Sequence, residues 1–177
     1  MSENLRVKSS QYIDETIRVS FKFNGKTYYG FKGDTLASAL LANNVHLVGR
    51  SFKYHRPRGI MTSGSEEPNA IVQINPNTNR TEPNVRATEV EIYEGMEASS
   101  QNCWPSVNFD IGGINNFLSP FFPAGFYYKT FMWPASFWEK YEYFIRHSAG
   151  LGKSPTLKDP DIYLSLIHIS EPTRRHL

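Results

Sequence analysis

The sequence predicts an α+β chain, a small mixed sheet wrapped on one helix, on three observations. Two alternating apolar and polar runs, Ile17 to Phe23 and Lys26 to Phe31, are joined by Asn24-Gly25. One short apolar-faced segment, Leu36 to Leu40, follows Gly33-Asp34-Thr35. Two further runs, Ala70 to Ile74 and Asn84 to Ile92, come after a long connection. This strand, strand, helix, loop, strand, strand order fits a β-grasp domain over residues 15–100, with an aromatic-rich, partly helical extension behind it.

Residues 1–14 are polar and read as a flexible tail. Ile17, Val19, Phe21 and Phe23 then alternate with Arg18, Ser20 and Lys22, the period of a strand with one wet face. Asn24-Gly25 is a strong hairpin signal because both residues tolerate positive φ. The return strand is rich in Thr and Tyr. Asp34 is the expected N-cap of the helix, its carboxylate accepting from first-turn amides, and Asn43-Asn44 supply the stop. Asn75-Pro76-Asn77-Thr78-Asn79 is a turn cluster. In the last run Val85, Ala87, Val90 and Ile92 take inward positions, with a bulge between them.

Aromatic residues make up 14% of the 177-residue chain and are unevenly spread. They crowd between Phe117 and Phe144, whereas Tyr93 alone lies between Gly59 and Ser100. Residues 101–163 are therefore expected to be a different region, with a helix from Phe137 to Ile145 and a linker beginning at Gly150, Gly152 and Pro155. The run Phe121 to Phe131, broken by Pro123 and Gly125, must pack irregularly. It reads as core or as an inter-subunit face rather than a flavin-stacking surface.

A net charge of +2 gives no argument for nucleic acid or for an anionic membrane. No apolar run reaches the roughly 20 residues of a membrane helix, and the first ten residues lack a secretory apolar core. The default location is cytoplasmic. The one cysteine, Cys103, excludes an intramolecular disulfide and any metal or cluster site needing several thiolates. It sits beside Trp104-Pro105 and reads as a packed thiol.

Arg50, Lys53, His55, Arg56 and Arg58 put five potentially basic side chains in nine residues. Arg50, Lys53, Arg56 and Arg58 are candidates for an anion site. The competing and favoured reading is that they pair with carboxylates and loop carbonyls of neighbouring domains. His55 has no carboxylate at a telling spacing and reads as loop packing, as do His46 and His147. Glu66-Glu67 reads as solvated charge. No catalytic and no metal-ligating residue is assigned.

Three segments carry a resemblance to a known family. Ser51 to Gly59 (SFKYHRPRG), Asn84-Val85-Arg86-Ala87, and Pro123 to Pro134 (PAGFYYKTFMWP) resemble the beginning of alpha subunits of heterotetrameric sarcosine oxidase. The likeness covers roughly Asp14 to Tyr163. It implies a β-grasp domain similar to plant-type 2Fe-2S ferredoxins, followed in the family by a dinucleotide-binding and a folate-binding domain. It further implies a multisubunit flavoenzyme that demethylates sarcosine oxidatively to glycine with FAD, FMN, NAD and tetrahydrofolate. On that reading the partners are the other sarcosine oxidase subunits and the remainder of the alpha subunit.

A plant-type cluster needs four thiolates, three of them close together in the loop after the helix. Here that loop, Gly59 to Glu67, contains no cysteine. No G-x-G-x-x-G occurs; the nearest segment, Gly150-Leu151-Gly152-Lys153, lacks the third glycine and follows no strand. No cofactor is therefore expected on this stretch itself. Leu164 to Arg174 resembles an in-frame translation of a transposase adapter used in sequencing libraries, so residues 164–177 are expected to be an artefact of read-through. The chain is thus expected to be a non-catalytic assembly portion lying ahead of a missing dinucleotide-binding domain. The alternatives are a 2Fe-2S-family electron-transfer protein, which the cysteine content opposes, and a β-grasp interaction module, free-standing or in another amine-oxidising flavoenzyme.

Overall fold

The computed structural model describes residues 5–6, 12–121, 133–150 and 152–157. Strands β1 (Asp14–Phe23) and β2 (Lys26–Lys32) form the expected antiparallel hairpin. Asn24 and Gly25 take φ of 50° and 77°, the conformation the turn requires. Val19, Phe21 and Phe23 are buried while Lys22 faces solvent; Ile17 lies beyond the covered part of the sheet and is exposed. Full burial of a side chain such as Phe21 contributes about 1.5–3 kcal/mol.

Helix α1 (Leu36–Ala42) buries Leu36, Ala37, Ala39, Leu40 and Ala42. Its N-cap is Thr35, not Asp34: the Thr35 hydroxyl accepts from the Ser38 amide. The next donors go to backbone carbonyls, Leu36 N–H to Val90 and Ala37 N–H to Ala87. Asp34 is fully buried and its carboxylate is committed elsewhere, to the Phe31 amide, the Ser38 hydroxyl and the Arg6 guanidinium. Gly30 leaves room for the helix and for Ile92 against the sheet, since a Cβ there would come within 3.2 Å of Ala39 Cβ and 2.6 Å of Ile92 Cδ1. Asn43 caps the end of the helix and Asn44 takes the left-handed conformation at φ 61°, the stop expected there.

Beyond α1, β3 (Gly49–Arg50) and β4 (Pro57–Arg58) make a separate two-stranded ribbon. Strand β5 (Ile71–Ile74) follows, then β6 (Glu82–Arg86). The expected last strand is cut short. Pairing ends at Arg86, and residues 87–90 turn to receive the first amides of α1. A strand that the sequence reading lacked, β7 (Met96–Ser100), takes the centre of the sheet. The order is β2-β1-β7-β5-β6, with β7 parallel to β1 and antiparallel to β5. Asn24 at the hairpin tip fastens β7, its side chain exchanging hydrogen bonds of 2.8 Å with Ser100 Oγ and Ser100 N–H.

Past β7 the chain forms a short bridge between Pro105 and Asp110, a 3-10 turn at Ile111–Gly113, and helix α2 (Ile114–Phe117). The expected later helix, α3, runs from Trp138 to Ala149, four residues beyond Ile145. Gly150 ends it at φ 66°, so the Gly150-Gly152 pair follows a helix and not a strand. The run Pro123 to Phe131, the join near Tyr163 and residues 164–177 lie outside the described residues. Among the described residues no helix is long and apolar enough to cross a membrane.

Candidate functional site

The connection from β4 to β5 closes on one side chain. Glu67 is 1% exposed, against the sequence expectation of solvated charge. One carboxylate oxygen accepts from the amides of Met61 and Thr62 at 2.8 and 2.7 Å. The other accepts from Asn69 and Ala70 at 2.8 and 3.1 Å. Burial alone would raise the Glu67 carboxyl, but these four amides outweigh it and hold the group below the ordinary glutamate value. Glu66 remains exposed, as expected.

The basic segment 50–58 works as a clamp on residues 104–117. Arg50 points at carbonyls, with Nε donating to Val107 at 2.8 Å, Nη1 to His55 at 3.1 Å and Nη2 to Asn108 at 3.4 Å. Arg56 Nε donates to Asn116 Oδ1 at 2.9 Å. Lys53 and Arg56 each lie 4.8 Å from the centroid of the Tyr54 ring. The Lys53 carbonyl accepts from Asn115, and Arg58 is exposed on β4. The four anion-site candidates thus face different partners: loop carbonyls, the Tyr54 ring and solvent.

His55 does have a carboxylate. Its Nδ1 lies 2.7 Å from Asp110 Oδ2, and both side chains are buried. The other Asp110 oxygen accepts from the amides of Trp104 and Gly112. His55 sits at φ 52°, and the Gly112 backbone presses on its ring so closely that a Cβ would collide with it. The 55-residue gap between the partners leaves no local signal in the sequence. Cys103 is half-buried, and burial first, then Asp110, push its thiol up against a smaller opposing pull from Arg50. It is a poor nucleophile at neutral pH.

A cavity of about 610 Å³ opens between the sheet edge and the segment after α3, lined by Gln73, Asn84, Gln101, Asn102, His147 and Lys153 among others. Gln73 spans it, accepting from the Lys153 amide at 2.8 Å and donating to the Lys153 carbonyl at 2.9 Å. The cavity wall carries no carboxylate and its one thiol is the half-buried Cys103, already pushed up by burial; among the described residues no three His, Cys, Asp or Glu side chains are grouped to hold a metal.

Residues 16–103 match the family of 2Fe-2S iron-sulfur cluster binding domains. Over 159 residues, 89% of its length, the chain is 60% identical to the sarcosine oxidase subunit alpha of Rhizobium meliloti, of which it covers 16%. The chain is a homologue of sarcosine oxidase alpha subunits and carries a ferredoxin-like domain. The same subunit of Corynebacterium sp. strain U-96 is 33% identical over 56% of this chain and 11% of that protein. A solved L-proline dehydrogenase from P. horikoshii overlays with a TM-score of 0.39 and 24% identity, covering 50% of this chain and 16% of that one. This chain therefore spans about one-sixth of the first of these alpha subunits.

The ferredoxin-like family implies a cluster, and the residues of this homologue do not fit one. Four thiolates hold a plant-type 2Fe-2S group, and the chain has one cysteine, outside the β4–β5 loop. Within that loop the converging amides are already taken by Glu67.

Proposed function

We propose that the chain is an assembly domain of a sarcosine oxidase type alpha subunit: a ferredoxin-like scaffold that docks the rest of a multisubunit flavoenzyme and carries no chemistry of its own. The parent complex, with FAD, FMN, NAD and tetrahydrofolate, would demethylate sarcosine to glycine in the cytoplasm. The observation that supports this reading is the apolar surface behind the domain. Trp104, Phe109, Ile114, Phe117, Trp133 and Phe144 are all at least 60% exposed. Aromatic side chains bury about 150–250 Å² each when covered, so a partner laid over these residues would remove a large apolar area from water. Its occupant, on this reading, is the remainder of the alpha subunit, given that the relatives are about six times longer.

Expression of residues 1–100 beside residues 1–163 tests it. The longer chain should scatter light and bind a hydrophobic dye, whereas the shorter stays monomeric. A monomeric, dye-free longer chain overturns the assembly reading. Equilibrium dialysis should find no NAD bound, and anaerobic reconstitution should leave no stoichiometric iron and sulfide. Iron and sulfide at two per chain would restore the electron-transfer alternative.

A further inference from the structure

We infer that the β4–β5 loop is a cluster-type loop closed by an internal anion, with the Glu67 carboxylate standing where such a loop would otherwise need a bound negative group. The inference does not depend on the assembly reading. Cluster sulfurs carry negative charge and accept hydrogen bonds, so a loop that surrounds them must turn amides inward. Here the amides still turn inward. Two come from Met61 and Thr62, before the bend, and two from Asn69 and Ala70, after it. All four meet one carboxylate, at 2.7 to 3.1 Å, on a residue that is 1% exposed.

The rest of the loop is built to keep that centre in place. The Arg86 guanidinium of β6 donates to the Glu67 carbonyl, and the Thr88 hydroxyl donates to the Gly64 carbonyl. The Thr62 hydroxyl adds a long contact of 3.5 Å to the same carboxylate oxygen. The charged side chains established beside the loop are Arg86, which also pairs with Glu89, and Glu66, which is exposed. Glu67 is therefore held by neutral dipoles rather than by a counter-ion. A neutral Gln in its place supplies one carbonyl oxygen for two pairs of donors and leaves buried amides without an acceptor.

The sign of the pH dependence follows. Glu67 is held below its ordinary value of about 4.5, so its contribution is fully present above that pH and is lost as pH falls through the lower, folded value. Hydrogen–deuterium exchange of the full chain, read on peptides covering residues 59–70 with β1 and β7 as internal references, tests the idea. Glu67→Gln should cost the loop at least tenfold in protection at pH 7 while β1 and β7 keep theirs, and Glu67→Asp should lose part of it. Loop protection equal to wild type in Glu67→Gln overturns the inference. Should Glu67→Gln unfold throughout, the wild-type carboxyl carbon of Glu67, followed by NMR, decides. Titration below the ordinary glutamate value supports the inference, and titration at or above it overturns it.

Discussion

The carboxylate of Asp110 joins three stretches of chain. It pairs with the His55 imidazole on one oxygen and takes the Trp104 and Gly112 amides on the other. Asp110→Ala strands a buried imidazole and two amides at once, and should cost about 2–4 kcal/mol in denaturant unfolding of the chain. An unchanged midpoint would show that the pair carries no stability. Neither this pair nor the Glu67 centre was legible in the sequence. Both depend on a side chain meeting groups that no short-range period places together. For Glu67, half of the pattern is local, since the amides two and three residues on are those a capping side chain takes. The order Glu-Pro-Asn before an apolar strand was the available hint. The basic run was legible as composition, but its use on Val107 and Asn108 carbonyls was not.

At the scale of elements, local rules decided the hairpin and helix and failed for the central strand. Alternation and Asn24-Gly25 fixed β1 and β2 because one face is wet and the turn needs positive φ at both positions. The helix cap turned on two adjacent residues that can both act. Thr35 caps because Asp34 is drawn inward to Arg6, Phe31 and Ser38. Thr35→Ala should therefore cost about 1 kcal/mol, measured by urea unfolding, since only one of the first donors loses its acceptor. A loss near zero would place the cap back on Asp34. Strand β7 was invisible because Met96-Glu97-Ala98-Ser99-Ser100 has two small apolar or flexible residues and no β-branched or aromatic one. Met96 and Ala98 are buried because neighbours on both sides cover them, a property of the sheet and not of the segment.

For the whole molecule, the place of β7 has a consequence for the order in which the domain can be born. Its two hairpin partners are synthesised first, β1 with β2 and later β5 with β6, yet within the sheet they are joined through the strand made last. Until Ser100 has left the ribosome, the nascent chain holds two separate ribbons, each with an open edge. Closure pairs Phe21 to Phe23 with Met96 to Ala98 across more than seventy intervening residues, a late and non-local step. Stalled nascent chains should therefore stay protease-sensitive through every length that keeps Met96–Ser100 inside the tunnel, and turn resistant in one step once it emerges. Gradual resistance from the first hairpin onward would mean that the halves fold independently and β7 merely fills a groove already formed.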